Sequence, residues 1–432
     1  MRCVTRPWAR CWGLLLLLLF LIPTPAFSIP AFARKYQVRC TACHEAWPML
    51  NDFGRAFRDN GYQMMMGKDG PTATPVGYWP VAFRLVPSFE RDTINHQETD
   101  QGVKTLTTSN GFGVGAFDVL SAGTLAPNMS FLFVPAYEGG EWEVESAWVR
   151  FDNLGKSSWL NLKLGHHELD LPRSAHRPLN QTGAGFLVYS YHPPGSISEF
   201  DMGGNQDGVE WVGHDKGSLN RAAVSLFSVD GSPGSRSAFN TPGVYFHLIH
   251  EFLPKSRVVS EAKIGAFGAD ASWPTTFLTS DGDPIEGSGT TLKHSTRYGL
   301  EGHVLFGPNV TPFHALVVLA HGSDNRNLIE GATRNATWDG GFVELAWTPR
   351  LKTTPFFRYD WISNGDQSNS ELASNANDQT QYTIGIRHTL NYSTRAEYAL
   401  HGEYSALRAR GLTADEPTVT STSLFFGVDF AF

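Results

Sequence analysis

From residue 79 to the C-terminus, apolar and polar residues alternate in segments of about ten, as expected for β-strands with two unlike faces. The last segment has one wholly apolar face, made of Leu424, Phe426, Val428, Phe430 and Phe432. Residues 395 to 405 divide charged from aromatic side chains, with Arg395, Glu397, His401 and Glu403 opposite Ala396, Tyr398, Leu400 and Tyr404. Charged residues on one face and aromatic residues on the other predict a barrel with a polar interior and an apolar outer wall.

The alternating segments number sixteen, and we predict that they begin near residues 79, 112, 128, 142, 159, 207, 218, 243, 257, 294, 310, 341, 353, 380, 393 and 421. Short connections such as 153–158 alternate with long ones such as 166–206. Short periplasmic turns, long external loops and an even strand number are typical of bacterial outer-membrane barrels. The connection at 138–141 is short where a long one is due, so a count of about fourteen to eighteen strands stays open.

Two other classes of protein compete with the barrel. A soluble β-sandwich or propeller would bury its apolar faces inward, and the rhythm of long and short connections argues against both. A bundle of membrane helices is excluded by a mean hydropathy of -0.23 with 41% hydrophobic residues. Residues 79–432 are therefore predicted to form an all-β, antiparallel outer-membrane barrel of about sixteen strands.

Residues 1–28 have the three parts of a secretory signal peptide. Basic residues come first, an apolar stretch runs from Leu14 to Ile22, and small residues follow at Ala26 and Ser28. We predict cleavage after Ser28, and the alternative is an uncleaved anchor. Loss of three arginines would take the formal net charge from -8 to about -11, which argues against a nucleic-acid partner. Inward-facing carboxylates such as Glu261 and Glu403 are predicted either to attract cations or simply to hydrate the lumen.

After cleavage only two of the four cysteines remain, in the sequence Cys40-Thr41-Ala42-Cys43-His44. This is the C-x-x-C-H pattern of c-type haem attachment, in which both thiols bond the porphyrin and the histidine ligates the iron. The pattern predicts one covalent haem c held by Cys40, Cys43 and His44 in a small, mostly helical domain over residues 29–78. A redox disulfide and half of a zinc site are the alternatives, but no second C-x-x-C pair exists to complete a zinc cluster.

The second axial ligand of the iron is less tightly constrained by the sequence. Met64, Met65 and Met66 follow the motif by about twenty residues, far enough for the chain to return over the other face of the ring. We take Met65 as the predicted ligand. His166 or His167 is the alternative, if the long connection that begins there folds inward.

The stretch from Ile29 to Tyr62 resembles the fused outer-membrane cytochrome-porins, a family that includes extracellular iron(II)-oxidising cytochromes. The residues that carry the resemblance flank the haem motif and are Phe32-Ala33-Arg34, Pro48, Leu50, Phe53-Gly54, Phe57 and Gly61-Tyr62. The resemblance implies a one-haem domain joined to a porin-like barrel that passes electrons across the outer membrane. The resemblance does not fix the electron donor; we predict iron(II) as the external donor and a periplasmic cytochrome or similar carrier as the acceptor.

Three alternative functions are compatible with these predictions. The first is an electron conduit that oxidises an external donor, with the activity of an iron(II)-oxidising oxidoreductase if the protein is an enzyme. The second exports electrons to an external acceptor. The third is a diffusion porin whose haem domain serves as a gate or sensor. In all three we expect the domain to plug or cap the barrel from the periplasmic side, where the first strand begins.

Overall fold

The computed structural model describes residues 31–432 except 37, 47–48, 65–79, 97, 100–101, 104–105, 139, 176–181, 199, 230–241, 255, 257, 275–291, 308–310, 330–331, 350–351, 366–374, 393–396, 414 and 432. The predicted signal peptide, residues 1–28, lies outside these ranges, as does the predicted domain boundary at residues 78 and 79. None of the helices in the described ranges is both long enough and apolar enough to span a membrane.

The N-terminal segment contains short elements. They are α1 (Ala31–Tyr36), a single 3₁₀ turn (Cys40–Ala42), β1 (His44–Ala46), β2 (Met49–Leu50) and α2 (Asp52–Asp59). Strands β1 and β2 pair as a small antiparallel ribbon. We predicted a mostly helical domain here, and the described residues contain two short helices together with this ribbon.

Sixteen antiparallel strands form one closed barrel. They are β3 (Val81–Asn95), β6 (Leu106–Ala126), β7 (Met129–Glu138), β8 (Glu141–Phe151), β9 (Asn161–Glu168), β10 (Asn205–His214), β11 (Asn220–Phe227), β12 (Gly243–Phe252), β13 (Val259–Pro274), β14 (Leu292–Phe306), β15 (Phe313–Asp324), β16 (Ala336–Trp347), β17 (Thr353–Asn364), β18 (Gln379–Tyr392), β19 (Glu397–Ala409) and β20 (Val419–Ala431). Between β3 and β6 a separate ribbon is formed by β4 (Glu98–Thr99) and β5 (Gly102–Val103). The predicted strand number is confirmed.

The barrel closes where β20 pairs with β3, with Phe430 opposite Leu85. At this rim, which we call the turn rim, the chain enters β3 and leaves β20, and the other connections at this rim are short. The opposite rim, the loop rim, carries the long connections, including 169–204 and 275–291. The connection at 138–141 is short as the sequence indicated, because Glu138 pairs directly with Glu141 across it.

The two faces of the wall differ as the alternation predicted. In β15 the inward residues Leu316 and Val318 are buried, whereas the outward residues Val317 and Leu319 are 36% and 48% exposed. Inward polar residues are buried as well, and Arg358 and Asp360 form an ion pair of 2.7 Å with both side chains 0% exposed. An apolar outer wall around a filled polar interior is suited to a lipid environment.

We expect Arg84→Ala to weaken the seam of the barrel. Arg84 lies on β3 and binds Asp118 and Asp429 at 2.9 Å each, with all three side chains buried. Its removal would leave the buried Asp118 without Arg84 and Asp429 with Arg387 alone, at 2.7 Å, and breaking a buried ion pair costs about 3 to 5 kcal/mol in comparable sites. Urea unfolding of the purified barrel in detergent micelles measures the loss. The control is Arg84→Met combined with Asp118→Asn, which keeps the Asp429–Arg387 pair and should lose much less; equal losses would contradict this account.

Candidate functional site

The described N-terminal residues, 31–36, 38–46 and 49–64, lie inside the barrel at the turn rim, and we call them the plug. Arg150, near the end of β8, donates to the carbonyl oxygens of Arg58, at 3.1 Å, and Asp59, at 2.5 Å. The side chain of Gln63 accepts from the backbone N–H of Asn128, in a turn-rim connection, at 3.1 Å. The contacts of the plug thus reach wall residues near the rim where β3 begins.

Helix α2 holds the cysteine motif in place. Asn51 caps the helix, since its side-chain oxygen accepts from the N–H of Gly54 at 2.9 Å. The same residue reaches back to the motif: its backbone N–H donates to the carbonyl of Cys43 at 2.9 Å, and its side-chain amide donates to the carbonyl of Ala42 at 3.1 Å. Gly54 allows this approach, because a Cβ atom there would collide with the Cys43 carbonyl oxygen. The cysteine motif and α2, which follow each other in the sequence, therefore fold into one compact unit.

The predicted haem-binding residues lie at the start of this unit. Cys40 begins the 3₁₀ turn, Cys43 follows it as a half-buried free thiol, and His44 opens β1 opposite Leu50. Burial raises the pKa of the Cys43 thiol. Met65, the predicted second ligand, lies outside the described residues together with Met66, whereas Met64 is half-buried directly after Gln63. The structure thus places three of the predicted residues next to one another.

A group of three carboxylates lies where α2 meets the wall, and it is the one group among the described residues with the spacing of a cation site. It consists of Asp52, Glu251 and Glu261. The ammonium of Lys263 already occupies this group, 2.7 Å from Glu261 and 3.2 Å from Glu251, and Arg55 binds Glu261 at 2.6 Å. The pairs of Arg55 with Glu261 and, at 3.9 Å, with Glu251 fasten the plug to β13 and β12, so the cluster serves attachment. Glu261 therefore has neither of the two roles predicted for it, which were to attract cations or to hydrate the lumen.

At the other end of α2 a chain of buried charges joins the plug to the wall and beyond. Asp59 binds Arg221 of β11 at 3.1 Å, and Arg221 also binds Asp170. Asp170 contacts His247 of β12 at 3.2 Å. Burial by itself would raise the pKa of Asp59, but the neighbouring cation of Arg221 holds that pKa below its ordinary value. The plug is thus locked to the wall at both ends of one helix.

Asp170 belongs to the connection between β9 and β10, whose described residues 169–175, 182–198 and 200–204 we call the inward segment. It folds into the loop-rim half of the lumen. Phe186 and Tyr189 pack on Phe342 of β16, with ring centroids 4.8 and 6.1 Å apart. The backbone N–H groups of Gly183 and Ala184 donate to Glu403 at 2.9 and 3.0 Å. The long connection predicted to be external therefore fills the barrel, and Glu403 is committed to holding it.

One further correction concerns His166, His167 and Glu168. The sequence placed them at the beginning of the long connection, but they are the last residues of β9. Both histidines are buried, at 7% and 1% exposure. An exposed metal-docking loop, for which this run of residues is a natural candidate, is therefore absent at this point of the described chain.

An aromatic wall runs from the motif unit to β8. Phe53, the neighbour of Gly54, stacks on Phe57 with ring centroids 6.2 Å apart, Phe57 meets Tyr62 at 5.8 Å, and Tyr62 stacks on Trp148 at 6.3 Å. Phe53 is 44% exposed although it lies in the plug. The wall thus begins with a partly exposed aromatic side chain on α2.

No protein-family model matches the sequence, and no curated protein matches it. Solved structures match in fold. The anion-selective porin from Comamonas acidovorans aligns with a TM-score of 0.51 at 12% identity, covering 82% of this chain and 99% of the porin. The outer membrane channel DcaP of Acinetobacter baumannii gives 0.49 at 10% identity, over 82% and 97% of the two chains. OmpT of Vibrio cholerae gives 0.48 at 10% identity, over the same shares.

At sequence identities of 10% to 12%, these matches establish a similarity of fold alone. A closed barrel of sixteen antiparallel strands with an apolar outer wall and a porin-like fold is a bacterial outer-membrane protein. Its outer wall contacts lipid. In such barrels the rim with short connections is the periplasmic one, and for this chain that orientation stays a prediction.

Proposed function

We propose that this protein is an outer-membrane electron conduit with one haem c bonded to Cys40 and Cys43 and ligated by His44. It would carry electrons from an external donor, iron(II), to a periplasmic carrier. The observation that carries the proposal is the position of the C-x-x-C-H turn, which α2 holds inside the barrel through Asn51 and Gly54. The same motif in a loop outside the barrel would not favour a role in carrying electrons through the membrane.

The residues around the motif fit the group. Gly54 leaves the room that the turn needs, Cys43 is a free thiol, and the ring of Phe53 begins a wall of aromatic side chains that ends at Trp148. When bound, the haem supplies one-electron chemistry at its iron.

The chain itself does the rest. The inward segment and the plug pack against the inner wall in successive halves of the lumen, which favours a packed, low-dielectric path over an open channel. The ion pairs Arg55–Glu261 and Asp59–Arg221 fix the plug at the periplasmic rim, where a soluble carrier can approach it. The identity of the donor rests on the resemblance to the iron(II)-oxidising cytochromes.

The test is anaerobic addition of iron(II) to the oxidised, purified protein while the absorption bands of the haem are recorded. Appearance of the reduced bands is expected. A haem that reacts with dithionite but not with iron(II) would remove iron from the proposal and leave the conduit. Reduction by periplasmic carriers followed by oxidation by external acceptors would reverse the direction and favour electron export.

A gated porin is the second candidate, because the barrel fold is that of porins. The packing of the lumen weighs against it. Inner-wall side chains of both halves are buried, for example Glu210 at 2% and Trp338 at 0% exposure. Solute flux separates the two functions.

We expect Gly54→Ala to lower the yield of haem attachment. The added Cβ collides with the Cys43 carbonyl, so the motif and α2 must move apart by part of an ångström or more. The ratio of covalent haem to protein, from a pyridine haemochrome assay, should fall severalfold. Gly111→Ala is the matched control, since a Cβ there meets nothing. An unchanged ratio in Gly54→Ala would contradict the packing described for the motif.

A further inference from the structure

The outer, lipid-facing wall of the barrel contains a groove that crosses the strands from β15 to β20. Its volume is about 800 Å³, within the range of about 300 to 1,000 Å³ that is usual for small-molecule sites in proteins. Among the described residues that line it, Glu403 alone is charged, and its carboxylate accepts hydrogen bonds from Gly183 and Ala184 inside the barrel. The surface of the groove is therefore almost entirely apolar.

The pairing of the strands explains the shape of the groove. Outward side chains that lie opposite one another in the register form two rows across the wall. The row nearer the loop rim consists of Leu345, Phe357, Ile384, Tyr404 and Leu424. The row nearer the turn rim consists of Pro355, Ile386, Gly402 and Phe426. This second row is interrupted at its glycine, which has no side chain to fill the space between its two neighbours.

The gap at Gly402 is not required by the packing of the barrel. A Cβ atom there would lie 3.8 Å from Phe426 and 4.0 Å from Ile386, and both distances are ordinary van der Waals contacts. An empty recess forfeits dispersion contacts along its lining, and an apolar recess offers water no hydrogen-bond partners. Hydrocarbon therefore fits this recess best, and the wall in which the recess lies contacts lipid.

Polar groups lie beside the second row, towards the turn rim. The side-chain oxygen of Thr353 is 2.8 Å from the Nδ1 atom of His388, and the two residues pair across β17 and β18. Both are one outward position beyond the second row. Lys352, which is exposed, directly precedes Thr353. An ammonium group, an imidazole and a hydroxyl at the edge of an apolar groove are suited to the phosphate of a lipid head group.

We propose that this groove binds one glycerophospholipid, with an acyl chain between the two rows and the phosphate at Lys352 and His388. The position in the lipid-facing wall favours a lipid over a soluble ligand, and the cation favours a head group that carries phosphate. Trp347, the last residue of β16, is exposed at the same end, as expected of aromatic side chains at the membrane interface. The site needs no haem, so the inference goes beyond the proposed function and does not depend on it.

The test is native mass spectrometry of the full-length protein, released from detergent micelles after incubation with phosphatidylglycerol. The wild type should retain one phospholipid per barrel at collision energies that remove the detergent. Gly402→Leu fills the gap and should retain severalfold less. Gly302→Leu is the matched control and should behave as the wild type does, because a Cβ at this wall position on β14 meets nothing within 4 Å. Lys352→Gln combined with His388→Gln should retain less phosphatidylglycerol but as much diacylglycerol with the same chains.

Equal retention of phosphatidylglycerol by the wild type and Gly402→Leu would overturn the inference. A wild-type dimer that Gly402→Leu converts to a monomer would overturn it too, since a second copy would then fill the groove. Heat-modifiable migration in gels shows that each barrel is folded. If the leucine variant does not fold, a phospholipid with a photoreactive acyl chain decides the question on the wild type. Cross-links concentrated on β18 and β19 would support the site, and cross-links spread evenly around the wall would refute it.

Discussion

Replacing Cys40 and Cys43 together with alanine is expected to abolish haem attachment while the barrel still assembles. The two thiols are the anchors of the porphyrin in the C-x-x-C-H pattern, and no other cysteine remains after residue 28. Covalent haem, measured by haem staining of denaturing gels, should fall to background. Reduction by iron(II) should disappear with it, since no redox centre is left.

Thr41→Ser in the same turn is the matched control and should retain full haem staining. Intact mass spectrometry of the mature wild type distinguishes the alternatives. A mass raised by one haem supports the proposal, whereas a mass lowered by two hydrogens would mean a Cys40–Cys43 disulfide and would sink it. A protein with unmodified thiols and one bound zinc ion in native mass spectra would favour a zinc site instead.

The barrel could be predicted because its signal is local. A strand in the wall of a membrane barrel alternates apolar and polar residues along its own length, as residues 297–304 of β14 and 397–404 of β19 do. The start of β6 was predicted near 112 but lies at Leu106, because the run from Leu106 to Gly111 is mostly polar and projects beyond the neighbouring hairpin of β7 and β8. Where both faces of a strand are exposed to water, apolar and polar residues need not alternate, so the sequence does not mark where the strand begins.

The inward segment shows what the sequence could not show directly. Long connections between strands are usually external, so 166–206 was predicted outside. The segment nevertheless contains Phe186, Val188 and Phe200, all of which are 3% exposed or less. Apolar residues of this kind are unexpected in a hydrated loop, and they are the signal from which inward folding could have been inferred.

For the candidate site, the sequence predicted the haem motif but not the contacts that hold it in place. Five adjacent residues define the haem pattern, whereas the lock on the plug joins Arg55 to Glu261, more than two hundred residues away in the chain. Nothing local in either residue predicts that pairing. The role of Gly54 likewise depends on the approach of the Cys43 carbonyl, which arises only after α2 has folded back on the motif.

Removing both bodies from the lumen is expected to turn the barrel into an open channel. A sixteen-stranded barrel has room for an aqueous pore, and here the plug occupies the periplasmic half and the inward segment the external half. The variant lacks residues 29–64, which include the plug, and has residues 182–200 replaced by a short Gly-Ser linker. Its conductance in planar bilayers should approach that of general porins, whereas the wild type should remain near the baseline.

The single deletions identify which body seals the lumen. Each half is packed on its own: the inward segment around Phe342 and Trp338, the plug around Phe57 and Tyr62. Either body should therefore block most of the current by itself, and conductance should rise steeply only when both are removed. A wild type that already conducts like the double deletion would contradict the packed lumen and favour a porin gated by its N-terminal segment. A sealed wild type that is reduced by iron(II) would leave the haem as the route for charge across this wall, because ions would have none.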